Sequence, residues 1–288
     1  MSKTIIDVIK LGTDYLHKKN IESSRLNMEL ILCDVLKCER IELYSKYDKP
    51  LNEKEIATAR EKMLKIADGV PIQYALGTTK FLNFHINVNK NVLIPRPETE
   101  LIIELIKKDY PQNDQSYNIL DIGCGSGCIS IALAEYFKNS KVFAIDISDE
   151  AIDTAKANAD INGVKNIEFY NLNILKKIPK TKFDIIVSNP PYISISEYGE
   201  LESNVKEYEP RLALTDDADG YTFYSRFSQI FKGMLNPDGV FYLEIGWGQA
   251  ERIISMFGVT NFLVDVSKDL SGISRIIRGK INTYLAQG

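Results

Sequence analysis

Asn189-Pro190-Pro191-Tyr192 follows the apolar run Phe183-Asp184-Ile185-Ile186-Val187-Ser188, and so lies where a buried parallel strand would end. Pro190 drives Asn189 out of helical conformations. Two successive prolines, neither with a backbone N–H, stop the strand and leave carbonyls outside regular structure. The Asn189 side chain brings an amide oxygen that accepts and an NH2 that donates, and Tyr192 brings a flat face on which a planar group can stack. Such a corner can grip a planar NH2, either a carboxamide or a nucleobase amine. The two hydrogens would point at the Asn189 oxygen and the Pro190 carbonyl, leaving the nitrogen facing a pocket. Standing alone, Asn-Pro-Pro fits a proline-rich loop with a capping Asn equally well.

The elements upstream decide the matter. Short apolar strands at 118–122, 141–145, 167–170, 183–188 and 240–245 are separated by helix-sized segments, a pattern that predicts a doubly wound, mostly parallel sheet. The first turn of that sheet is Asp121-Ile122-Gly123-Cys124-Gly125-Ser126-Gly127. Its alternate glycines let the backbone turn sharply and approach a ligand, and the helix from Cys128 to Phe137 opens beside it. Asp146 ends the second strand about 20 residues on, where an acid commonly binds two ribose hydroxyls. A dinucleotide enzyme could show both features. Gly-x-Gly-x-Gly, rather than Gly-x-Gly-x-x-Gly, suits a compact ligand ending in an amino acid better than a pyrophosphate.

At 288 residues the chain accommodates one large domain and a smaller one. Residues 1 to about 75 read as a helical bundle. Ile5, Ile6, Ile9 and Leu16 mark one apolar face, and Leu26, Leu30, Ile31 and Val35 a second. A third helix opens at Asn52, with Glu55 as its capping-box acid. Phe84, Ile86 and Val88 then alternate with polar residues as in a hairpin, and Ile94-Pro95-Arg96-Pro97-Glu98-Thr99-Glu100 stiffens the entry to the next helix, a suitable pocket wall. The resulting division is 1–76 helical, 77–93 hairpin linker and 94–288 catalytic. A net charge of −4 argues against broad gripping of nucleic acid. Cys33, Cys38, Cys124 and Cys128 lack metal or disulfide spacing and read as small buried thiols, while His17 and His85 stand apart from any metal-type cluster. No stretch has the length and apolarity of a membrane span or signal core, so the expected location is the cytoplasm.

With these residues in hand, the second half resembles a class I S-adenosylmethionine-dependent methyltransferase, and Asn189-Pro190-Pro191-Tyr192 resembles the motif of those that methylate a planar NH2. Gly69-Val70-Pro71-Ile72-Gln73-Tyr74, Val92-Leu93-Ile94-Pro95-Arg96-Pro97-Glu98-Thr99-Glu100, Tyr208-Glu209-Pro210-Arg211 and Asp269-Leu270-Ser271-Gly272 are similar to segments of the HemK-type release-factor glutamine methyltransferases, nearly end to end. The resemblance implies a seven-stranded sheet and a helical N-terminal domain that recognises substrate. It implies methylation of the glutamine amide in the GGQ motif of peptide chain release factors, by a monomer with no stable nucleic acid or membrane partner. It puts the cofactor on Gly123, Cys124, Gly125, Ser126 and Gly127, with its ribose on Asp146 and its adenine near Asn173 and Ile174. Asn189, Pro190, Pro191 and Tyr192 hold the substrate, and Asn189 also borders the cofactor. Asn173 and Ile174 depart from the acid and large apolar residue common in relatives. Arg96, Glu98 and Glu244 fall in shared motifs without an assigned role. An adenine N6-methyltransferase acting on DNA or RNA is the alternative.

Overall fold

The computed structural model describes residues 3–282. They form helices α1 (Ile5–Lys18), α2 (Ser24–Leu36), α3 (Arg40–Ser45), α4 (Glu53–Ala67) and α5 (Ile72–Leu76), then a hairpin of β1 (Thr78–Phe81) and β2 (Phe84–Asn87). After a short 3-10 turn at Pro97–Thr99 come α6 (Glu100–Asp109), β3 (Asn118–Ile122), α7 (Cys128–Tyr136), β4 (Lys141–Asp146), α8 (Asp149–Ile161), β5 (Ile167–Asn171) and β6 (Phe183–Ser188). The chain continues through α9 (Ile195–Glu200), α10 (Ser203–Tyr208), α11 (Arg211–Leu214), α12 (Thr222–Met234), β7 (Leu235–Glu244), α13 (Ala250–Gly258), β8 (Phe262–Lys268) and β9 (Ser274–Ile281).

One compact unit comprises the residues up to Thr78 together with Glu202–Tyr208. Its helices start where polar side chains satisfy the free N–H groups of a first turn. Asn52 Oδ1 accepts from Glu55 N at 2.9 Å and Glu55 Oε2 accepts from Asn52 N at 2.8 Å, so α4 opens with the capping box that the sequence predicts. Thr4 and Asp7 do the same for α1. Ile5, Ile9, Leu16, Met28, Ile31, Leu32 and Ile66 fill the core of this unit. Glu29 is buried with them, its carboxylate held by Arg25 at 2.9 Å, Arg40 at 2.7 Å and Tyr44 at 2.8 Å. Tyr208 donates its hydroxyl to the Asp68 carbonyl at 2.9 Å.

The second unit, Thr79–Leu201 and Glu209 onward, is built on a seven-stranded sheet of order β5-β4-β3-β6-β7-β9-β8. Neighbours from β5 to β7 are parallel, and β9 runs antiparallel to both β7 and β8. Parallel strands need both faces covered, which is why β6 is buried at Phe183, Ile185, Ile186, Val187 and Ser188. One face packs on an aromatic cluster in which Phe231, Phe241, Phe257 and Phe262 meet at centroid separations of 4.5–6.1 Å.

Register positions the site. Ile122 of β3 pairs with Ile145 of β4 and Ser188 of β6, and Ser188 pairs with Leu243 of β7. Gly123, Asp146, Asn189 and Glu244 therefore stand in a row along the carboxyl edge of the sheet. The chain doubles back there, having run from β3 outward to β5 before returning to β6, and open α/β sheets bind ligands at such a reversal.

Candidate active site

A cavity of about 450 Å³ opens at this edge. Gly123, Cys124, Gly125, Ser126, Asp146, Ile174, Asn189, Pro190 and Pro191 all line it, so the structure brings together every expected site residue except Gly127 and Tyr192. Ile147, Ala151, Leu172, Leu175 and Phe223 add apolar lining, and Asn173, Pro95, Arg96 and Thr99 line it as well.

The glycine turn is held from beneath. Gly123 N and Cys124 N donate to the Ile145 carbonyl at 2.8 and 3.0 Å, and Gly127 N to the Cys124 carbonyl at 2.7 Å. Gly123 and Gly125 adopt φ of +74° and +52°, and a Cβ on either would project into open space. A side chain there would be strained and would occupy the floor of the cavity. Gly127 serves packing instead: at φ +80° it caps α7, and a Cβ would stand 3.0 Å from that of Ala155 on α8. Behind the turn, Asn158 is fully buried; its amide donates to the Ser126 carbonyl at 2.9 Å and the Asn87 carbonyl at 3.0 Å, while its oxygen accepts from Asn87 N at 2.8 Å. One side chain thus ties the turn to the hairpin, a contact between residues 71 apart that no local pattern announces.

Asp146 Oδ2 accepts from Gly125 N at 2.9 Å and Oδ1 from Ser148 N at 3.0 Å. Each carboxylate oxygen keeps lone-pair capacity for a hydroxyl. Burial raises its pKa above the ordinary aspartate value, and the backbone N–H groups of Ser148, Gly125 and Ile147 oppose that rise. Asp121, directly below, is fully buried: Ser130 donates to Oδ2 at 2.5 Å, whereas Oδ1 has no partner among the described residues, and burial pushes the carboxyl up to about 7. Cys124 and Cys128 also line the cavity, and burial raises both thiols, Cys128 to about 12, so they stay protonated. Among the described residues no group of three or more His, Cys, Asp or Glu side chains could hold a metal ion.

At the tip of β6 the Asn189 amide donates from Nδ2 to Thr99 Oγ1 at 3.2 Å, and Thr99 in turn donates to Glu244 Oε2 at 2.7 Å. Among the described residues neither Asn189 Oδ1 nor the Pro190 carbonyl accepts a hydrogen bond. Two acceptors without an internal donor are thus carried by residues that line the cavity. Tyr192 is placed differently from the expectation of a stacking face on the cavity. Its ring packs on the aromatic core and against Gly246, and its carbonyl accepts from Gln249 Nε2 at 3.0 Å, which fixes the outgoing chain.

The shared motifs without an assigned role serve this geometry. Glu209, 5% exposed, takes Arg96 Nη2 at 2.6 Å and Ile94 N at 3.4 Å, so one carboxylate fastens the proline-stiffened segment that carries Thr99. Asp269 accepts from Ser271 N and Ile273 N and pairs with Arg275 at 2.9 Å, shaping the turn between β8 and β9. Asn173 Oδ1 accepts from Leu175 N at 2.9 Å, closing the turn that presents Ile174 to the cavity.

A family model described as a methyltransferase domain matches residues 113–260. With this strand order it puts the chain among the S-adenosylmethionine-dependent methyltransferases. A second model, the PrmC N-terminal domain, matches residues 7–77. The release factor glutamine methyltransferase of Geobacter sulfurreducens is 38% identical over 279 residues, spanning 96% of this chain and 97% of the relative. The enzyme of the same name from Fusobacterium nucleatum is 37% identical over 278 residues, 96% of this chain and 78% of that one. A crystallised methyltransferase from Pyrococcus furiosus, 20% identical, shares the fold with a TM-score of 0.51 over 69% of this chain and 89% of its own. The chain belongs to the release factor glutamine methyltransferase family.

Proposed function

We propose that this protein transfers the methyl group of S-adenosylmethionine to the side-chain amide nitrogen of the glutamine in the GGQ motif of peptide chain release factors, in support of translation termination. The observation that carries the reading is the pair of unoccupied acceptors, Asn189 Oδ1 and the Pro190 carbonyl, on the wall of a cavity with a nucleoside-type acid at its other side. The cavity suits the cofactor: the open faces of Gly123 and Gly125 leave room for its methionine end, Asp146 can take its ribose hydroxyls, and the apolar wall around Ile174 can take its adenine. When bound, it supplies a methyl group already activated on a sulfonium.

A carboxamide nitrogen is a poor nucleophile because its lone pair is delocalised into the carbonyl. The protein's task is then alignment: Asn189 and Pro190 accept the two N–H groups, draw electron density onto the nitrogen and aim it. Holding reacting atoms about 3 Å apart in line can supply several kcal/mol of the barrier. Pro191 walls the substrate in place, and Tyr192 is assigned to the substrate side of the same corner. No strong base is required before attack, since the methylated, positively charged amide readily loses its proton to these acceptors or to water. In the same reading the helical unit recognises the release factor, the hairpin links it to the catalytic domain, and the protein works as a monomer in the cytoplasm. Its net charge of −4 favours a protein substrate over nucleic acid.

The test is a tritiated methyl-transfer assay offering release factor, DNA and RNA side by side to the wild type and to Asn189→Ala. Label should enter release factor alone, and the variant should lose turnover by about 100- to 1,000-fold, as for other groups aimed at developing charge. Its binding of S-adenosylhomocysteine should persist. Near-native turnover of the variant, or label in nucleic acid, overturns the reading.

A further inference from the structure

Grip by Asn189 works in only one of two orientations of its side chain. An amide is nearly symmetric in shape, so turning it by 180° costs little room but exchanges acceptor for donor. Turned the wrong way, it would present NH2 to the substrate's own NH2.

Thr99 and Glu244, each 2% exposed, stand behind it. An ionised carboxylate can only accept, so Glu244 claims the single hydrogen of the Thr99 hydroxyl at 2.7 Å. Thr99 is left with lone pairs alone to offer Asn189, and it takes the Nδ2 hydrogen at 3.2 Å. The oxygen must then face the other way, toward the incoming amide.

We propose that Thr99 and Glu244 are positioning residues for methyl transfer, a relay that locks the Asn189 side chain with its oxygen toward the substrate nitrogen. The proposal rests on the functional reading above. A proton on Glu244 would reverse the polarity: its O–H would donate to Thr99, whose hydrogen would turn to Asn189 and admit the flipped amide. Burial pushes Glu244 up to about 7; Glu98 raises it further, while the Thr99 bond and Arg275 and Arg96 pull it down. Tyr192, Cys128 of α7 and Tyr224 of α12 also face it, the last donating to its backbone carbonyl at 2.8 Å. Turnover should accordingly fall as pH drops through about 7.

The experiment compares wild type, Thr99→Val, Thr99→Ser and Glu244→Gln as full chains, reading kcat, KM for release factor, affinity for S-adenosylhomocysteine and the exchange protection of the Asn189 NH2 by NMR. Thr99→Val should lower kcat by about 10- to 100-fold, the scale of one misdirected buried hydrogen bond, with cofactor affinity kept and the NH2 protection lost. Thr99→Ser should recover most of both, and Glu244→Gln should remove the acid limb from the pH profile. A Thr99→Val enzyme with native kcat and a protected NH2, equal damage from Ser and Val, or an unchanged acid limb in Glu244→Gln overturns the relay. Should the wild type itself leave release factor unmethylated, the functional reading fails, and the NH2 protection in Thr99→Val still decides the relay.

Discussion

Replacing Asp121 by Asn should make the protein's resistance to unfolding less dependent on pH. The carboxyl is fully buried, with one oxygen bonded to Ser130 and the other unpartnered among the described residues. Burial dominates, and it favours the neutral form: a displacement from 3.8 to about 7 is worth about 4 kcal/mol. Because the folded-state pKa lies above the unfolded value, the associated stability is fully present below about 3.8 and is lost as pH rises to about 7. Asn cannot ionise, so it escapes that loss. It also mimics the protonated acid closely, presenting an acceptor to Ser130 and a donor where the orphan oxygen stood. The difference in unfolding free energy between Asp121→Asn and wild type, from urea titrations followed by circular dichroism at pH 5, 6, 7 and 8, should therefore move in the variant's favour with rising pH, by up to about 3 kcal/mol across those points. Glu244 titrates in the same range in both proteins and cancels. A difference that stays flat within about 1 kcal/mol, less than one pKa step, would show that the folded protein accommodates the Asp121 charge and would refute the argument.

Asp146→Ala removes the acceptor of Gly125 N and Ser148 N as well as the expected ribose partner, and calorimetry should show cofactor affinity weakened by about 10- to 100-fold, as for hydrogen bonds to a charged group; unchanged affinity would take Asp146 out of that role. Asn158→Ala leaves the buried Ser126 carbonyl and both backbone groups of Asn87 without their partner, and should cost about 2 kcal/mol in urea unfolding while raising the KM for S-adenosylmethionine through a loosened glycine turn.

How much of this was legible in the sequence depends on the range of the interaction concerned. Strand β6 could be read to the residue because a continuous apolar run ended at two prolines. Strand β7 begins at Leu235, five residues before the expected 240, because Asn236-Pro237-Asp238-Gly239 reads as a turn. Its pairing with β6 accommodates that stretch only through a register shift between Phe183 and Ile185. Helices α3, α9, α10 and α11 are too short to show a period, and the sequence left them unread. Gly123, Gly125, Asp146 and Asn189 could be picked out because each lies at or just past the end of a strand, where open α/β sheets bind ligands. The bond between Thr99 and Glu244 joins positions 145 apart and rests on the order of strands in the sheet, which no local pattern encodes. Tyr192 lies off the cavity lining for a related reason: its neighbours Gly246 and Gln249 come from beyond β7.

The helical unit is discontinuous, taking Glu202–Tyr208 from far downstream. A ribosome making this chain delivers five helices early, then the strands up to β6, before the piece bearing Tyr208 emerges to donate to the Asp68 carbonyl. The first domain begun thus stays unfinished until roughly half of the sheet has been translated, so the folding of the two units overlaps in time.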